Sequence, residues 1–130
     1  MSLSSGLYSY LIDQAAISAL VDTRIYPAIL PQEPTLPAIT YQIDGLEDRF
    51  TLEAGQTGPV IGDVQIDAWG SSHKAAADLS ALIVTALRNL KGDMGGVTVQ
   101  GLFRDTQIDI YEPTVEAYRR SIAFTIWHTE

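Results

Sequence analysis

The 130-residue chain has room for one domain and not for two ordinary ones, and its 46% hydrophobic and 18% charged residues fit a globular fold. It contains no Cys, which excludes a disulfide framework, a thiolate metal site and a cysteine nucleophile. With 16 Asp and Glu against 8 Lys and Arg, the formal net charge is -8, a poor basis for gripping phosphates, because nucleic-acid affinity comes largely from cations displacing counterions.

The N-terminus has no basic region before an apolar run, and no stretch approaches the ~20 apolar residues that span a bilayer, so neither a signal peptide nor a membrane segment is expected. From Leu3 to Val21, apolar residues at Leu3, Leu7, Tyr10, Leu11, Ile17, Leu20 and Val21 mostly fit one face of a single helix, with Ser4 or Ser5 as its cap. Arg24 to Tyr26 reads as a short strand. Pro27, Pro31, Pro34 and Pro37 then forbid helix and central strand alike and predict a stiff, extended connector.

Ala38 to Asp44 alternates, with Ile39, Tyr41 and Ile43 opposite Thr40, Gln42 and Asp44, and Val60 to Trp69 does the same. Both are half-buried strands. Between them, Glu47 to Pro59 lacks a consistent face and carries Gly55, Gly58 and Pro59, which predicts a long loop. Ser71 or Ser72 caps a helix running to about Leu90, with Leu79, Leu82, Ile83, Ala86 and Leu87 as its apolar stripe. Lys91-Gly92 and Gly95-Gly96 end it. Val97 to Phe103 and Gln107 to Tyr111 form a strand, continuous or restarted, and Glu112-Pro113-Thr114 turns the chain. Tyr118 to His128 is the last strand, with Tyr118, Ile122, Phe124 and Ile126 inward and Arg119, Ser121 and Thr125 outward. The order α-β-β-β-α-β-β, in one domain over residues 1–130, predicts an α+β fold: a mainly antiparallel sheet with two helices packed on one face.

Chemistry is sparse in this pattern. Asp63 and Asp67 share one strand face, as do Asp105 and Asp109 if that segment stays extended, and carboxylate pairs can do acid–base work or hold a cation. Both pairs lie on faces that alternation assigns to solvent, where replacing an Asp by Asn shifts stability by about 0.5 kcal/mol at most. His73 and His128 lie far apart and read as surface residues. Gly55-Gln56-Thr57-Gly58 lacks the Lys and Ser/Thr of a phosphate loop, and Trp69-Gly70-Ser71-Ser72-His73 lacks the frame of a nucleophile elbow. Arg119-Arg120 is an isolated basic pair. No catalytic, cofactor or metal constellation is expected.

Three segments together resemble a known family. They are Arg24-Ile25-Tyr26-Pro27 followed by Leu36-Pro37-Ala38-Ile39-Thr40-Tyr41-Gln42, then Val64-Gln65-Ile66-Asp67-Ala68-Trp69 leading into an Ala-rich helix. The third is Gly96-Val97, Asp109-Ile110-Tyr111-Glu112-Pro113 and Tyr118-Arg119-Arg120-Ser121-Ile122-Ala123-Phe124. In this order they resemble the small tail-completion proteins of long-tailed bacteriophages and prophages, also called tail terminators or tail-to-head joining proteins. The resemblance implies a structural subunit of a hexameric ring, made in the bacterial cytoplasm and carried at the head-proximal end of the virion tail. Such a ring caps the tail tube built of the major tail-tube protein and joins it to the head connector. Genome DNA passes through its channel without tight binding, which the acidic balance favours. The resemblance carries over no catalytic residue and no cofactor, metal or membrane association. On this reading Arg49, Phe50, Leu52 and Glu53 are the assembly-loop residues, and Arg119 and Trp127 are candidates for the subunit interface. Two alternatives are another head-completion or tail-assembly component, and a small α+β enzyme or ligand-binding domain using Asp63, Asp67 and His128.

Overall fold

Leu3, Leu7 and Leu11 recur every four residues and are buried on one side of α1 (Leu3–Ile12), the first element of the computed structural model. The structure describes residues 3–50, 57–90 and 92–129, with 46–50 and 57–59 described by backbone alone. The four-residue stripe does not continue. The next buried apolar residues are Ile17 and Val21, six and ten positions after Leu11. One straight helix would still hold Ile17 and Val21 on the side of Leu3, yet the chain breaks at Gln14 (φ -79°, ψ 110°) and restarts as α2 (Ala15–Val21). The single N-terminal helix expected from the sequence is therefore two. The Ser18 hydroxyl bonds the Ile12 carbonyl across the break.

After β1 (Ile25–Pro27) the proline segment has no regular structure before β2 (Ala38–Phe50). Then come β3 (Thr57–Gly70), α3 (His73–Arg88), β4 (Asp93–Met94), β5 (Val97–Glu112) and β6 (Ala117–Thr129). The strands form one six-stranded sheet in the order β1-β2-β3-β6-β5-β4, antiparallel except for the parallel β1–β2 pair. The fold is α+β, as expected, with three helices among the described residues instead of two. The two-residue β4 was not expected; it buries Met94 completely.

Pairing register assigns the faces. Ile39, Tyr41 and Ile43 lie opposite Ala68, Ile66 and Val64, and Ile66 and Val64 lie opposite Ile122 and Phe124. These side chains, the α1 and α2 stripes, and Leu79, Ile83 and Leu87 of α3 make one core. Ser72 caps α3 as expected, its hydroxyl accepting from the Ala75 N–H at 3.1 Å. The opposite face of the sheet carries Thr40, Asp67, Trp69, Arg119, Ser121, Thr125 and Trp127, and we call it the open face.

The expected long loop is mostly strand. Glu47 pairs with Ile61, Asp48 with Val60 and Phe50 with Thr57, so β2 and β3 form a hairpin running past the end of β6, which joins β3 only from Val60 onward. Gly58 and Pro59 are tolerated because this stretch of β3 has a strand on one side only, where a missing N–H leaves no gap in a second ladder. Leu52, Glu53 and Gly55 lie outside the described residues. Among the described residues no helix is long and apolar enough to cross a membrane.

Candidate assembly surfaces

Two charge networks occupy opposite faces of the sheet. On the open face, Arg119 of β6 reaches across to β3: Nη1 lies 3.0 Å from Asp67 Oδ2 and Nη2 lies 2.5 Å from Glu112 Oε1 of β5. The guanidinium carbon sits 5.4 Å from the centre of the Trp69 ring, and Trp69 Nε1 donates to Thr40 Oγ1 at 2.9 Å. Gln65 Nε2 adds a bond to Asp67 Oδ1 at 3.2 Å. Burial works against the Arg119 charge, but the bonds to Asp67 and Glu112 outweigh it and hold its pKa above the ordinary value. Asp67 is only 7% exposed, so the solvated role expected for it is corrected: a cation from 52 residues away covers it.

Asp63 keeps the exposed position expected of it, and Thr125 Oγ1 lies 3.4 Å from it and 2.5 Å from Asp105 Oδ2. His128 lies on the other face, opposite Val60, with no exposed surface. The expectation of a surface histidine is thus wrong, and the reason is parity, because Ile122, Phe124, Ile126 and His128 follow the same two-residue period inward. The same parity keeps His128 away from Asp63 and Asp67, so the three residues of the enzyme alternative do not share a site. Tyr118, expected inward, is 37% exposed because it stands at the end of the sheet beside Tyr111, with ring centres 4.9 Å apart. Among the described residues no cluster of three metal-ligating His, Asp or Glu side chains occurs.

The helix-side network joins β5, β6 and α3. Asp109 takes two bonds from Arg120, Nε at 2.6 Å and Nη2 at 3.1 Å, and lies 3.1 Å from His73 Nε2. The hydrogen bonds from Arg120, then from His73, hold the Asp109 carboxyl down to about 2, against a usual 3.8. A depressed carboxyl contributes stability that is complete above its ordinary pKa and is lost as pH falls through its folded one, here from 3.8 toward about 2. A side-chain NMR titration is expected to find Asp109 near about 2, and Arg120→Gln to return it most of the way to 3.8. An unchanged titration in that variant contradicts the ion-pair account.

The candidate interface residues separate in character. Arg119 spends its charge inside the subunit, with its side chain 18% exposed. Trp127 is 36% exposed on the open face, next to Phe103 at 58%, whose ring packs over the space Gly101 leaves empty. Ile108, 59% exposed, lies on the same face. Sequence alternation could not single out Phe103 or Ile108, because a register shift between Arg104 and Thr106 changes the parity of β5 between them. Arg49 and Phe50 lie in the strand part of the projecting hairpin, and Leu52 and Glu53 fall beyond the described residues.

The fold is similar to a chain in a solved structure titled "Virion of native gene transfer agent (GTA) particle", with a TM-score of 0.66 at 17% identity, covering 98% of this chain and 94% of that one. A search of curated protein sequences finds no match. The family model described as "Tail completion protein gp17" matches residues 5–129, which takes in every strand of the sheet and all of α2 and α3. By that match the chain belongs to the tail completion protein gp17 family, and its role is the structural one of completing a phage-type tail.

Proposed function

We propose that this chain closes into a six-membered ring on the end of a phage or prophage tail tube. The ring ends tube growth and presents its far face to the head connector, without catalysing a reaction. The observation that carries this reading is the family match over nearly the whole chain. The gene transfer agent particle, whose similar chain is part of a virion, supports a place in the virion for this one. On this reading the subunit is made in the host cytoplasm and ends at the head-proximal end of the tail.

Three physical features fit it. A cyclic ring needs unlike surfaces that fit each other, and a sheet with two dissimilar edges offers them. The β2–β3 strand pair extends beyond the end of β6, which supports taking Arg49, Phe50, Leu52 and Glu53 as the residues that meet the tube end, and on the same reading Trp127 and the outward side of β6 meet a neighbouring subunit. The net charge of -8 suits a channel along which DNA slides, since acidic walls give phosphates no counterion-releasing partner.

The test is tube capping. Purified subunit mixed with polymerising tail-tube protein is expected to give tubes of limited length with a ring at one end in negative-stain images. The double substitution Phe50→Ser and Leu52→Ser is expected to leave the melting midpoint nearly unchanged while capped tubes fall more than about a hundredfold, because burying two apolar side chains is worth roughly 1.5–3 kcal/mol each. Tubes that grow without limit beside folded wild-type subunit overturn the capping role. Unchanged capping by the variant moves the contact off the hairpin.

A further inference from the structure

The chain holds few cations, and most of those described are spoken for. Lys74 pairs with Asp78, Arg119 with Asp67 and Glu112, and Arg120 with Asp109. Arg24 donates to the backbone carbonyls of Leu20 and Pro37. Arg88 and Arg104 differ. Both are exposed, neither has a carboxylate partner among the described residues, and both line the same groove of about 610 Å³ between the C-terminal half of α3 and β5. Its floor is apolar, built by Val84, Leu87, Leu102 and Phe124. A second, smaller recess beside it is also lined by both arginines. Arg88 suits the C-terminal end of α3, where the helix dipole favours a cation. Arg104 has no such account.

Beside this groove runs an open sheet edge. The short strand β4 pairs only with Val97 and Thr98, and the Gly92 carbonyl accepts from the Val99 N–H, so among the described residues β5 has no outer neighbour beyond Val99. The opposite edge is open as well: β1 covers β2 only from Ile39 to Tyr41. That side bears exposed carboxylates with no cation partner among the described residues. Asp22 closes α2, Glu33 lies in the proline segment and Asp44 stands on β2 just past the reach of β1. The lining of the groove is basic over an apolar floor, with Asp93 and Asp105 on the same edge but outside that lining, whereas the β1–β2 side carries three carboxylates against Arg24.

We propose that the groove between α3 and β5 is the socket for the acidic β1–β2 edge of a second copy of this chain. Arg88 and Arg104 face Asp22, Glu33 and Asp44 of the next copy, while Val84, Leu87 and Leu102 are covered. The proposal rests on the ring reading and names an edge contact within it, in addition to the one at Trp127. Opposite charge at unlike edges fixes the direction of assembly, since acidic edge against acidic edge and socket against socket both repel. It also makes assembly weaken as salt rises.

The test exchanges the charges. One variant carries Arg88→Glu and Arg104→Glu, and a second carries Asp22→Lys, Glu33→Lys and Asp44→Lys. Each alone is expected to self-associate more than about tenfold more weakly than wild type in sedimentation, because like charges then meet across the contact. An equimolar mixture is expected to recover association, since alternating copies restore every opposite pairing. A chain carrying all five substitutions is expected to recover it too. Should a charge-reversed chain fail to fold, as read by its melting curve, the neutral pair Arg88→Gln and Arg104→Gln serves instead and is expected to flatten the salt dependence. Variants that associate as well as wild type, or a mixture that does not recover, overturn the socket and leave the ring standing. Wild-type chain that stays monomeric even with tube ends present overturns the ring reading itself.

Discussion

Replacing Asp67 by Asn is expected to destabilise the subunit by about 2–3 kcal/mol, lowering its melting midpoint by on the order of 10 °C. The same substitution at Asp63, four residues away on the same face, is expected to cost about 0.5 kcal/mol or less. Asp67 is almost fully covered and bonded to Arg119, whose side chain is itself largely buried. Removing its charge leaves a buried guanidinium with Glu112 as its single remaining carboxylate, 2.5 Å away. Breaking a buried pair typically costs 3–5 kcal/mol, and the remaining Glu112 and the partial exposure of Arg119 bring the figure down. Chemical and thermal melts of the two single variants decide the matter. Equal losses at the two positions contradict the assignment of Asp67 to a buried pair.

Gly95→Ala is expected to cost about 2–4 kcal/mol, while Gly92→Ala, three positions earlier, costs about 1–2. Both glycines have positive φ, +57° and +85°, which penalises any side chain. They differ in surroundings. A Cβ on Gly95 stands 2.6 Å from the Gly6 carbonyl oxygen and 2.8 Å from Ser9 Cβ, both on α1, whereas a Cβ on Gly92 meets nothing within 4 Å. Gly6 answers from the other side, since its own Cβ would stand 2.6 Å from the Met94 carbonyl oxygen. The turn after β4 and helix α1 therefore touch backbone to backbone, and α1 must lift to admit a methyl group. Equal melting shifts for the two variants show that α1 does not pack this closely.

Period explains most of what the sequence made legible. Two-residue alternation marked β2, β3 and β6, and a long apolar stripe with Ser72 in front of it marked α3, because each pattern reports a face that must be buried. The break between α1 and α2 left no mark on the period, because Ile17 and Val21 fall on the same helical face as Leu3 and Leu7 and so fit a one-helix reading. The parity that turned Ile126 inward also turned His128 inward, and only the expectation attached to its residue type said otherwise. Asp67 was of another kind. Alternation placed it correctly on the open face, but nothing local to β3 records that Arg119 covers that face from the far end of the chain. Opposed edge charges were likewise invisible until the strand order put β5 and β1–β2 on opposite sides.

The position of β6 has a consequence for how the chain is made. It is the last strand in the sequence but lies inside the sheet, between β3 and β5, pairing Val60 with His128 and Gly70 with Tyr118. Until residues 117–129 have emerged from the ribosome, β3 and β5 have no common neighbour and the β1–β2–β3 unit cannot be joined to β4–β5. Contacts so distant in sequence require large loops to close before they give anything back, which slows folding and leaves partly built sheets exposed meanwhile. The two outer edges of the sheet thus come into fixed relation in the single step that inserts β6, so a product that stops short of residue 117 carries the edges on separate pieces.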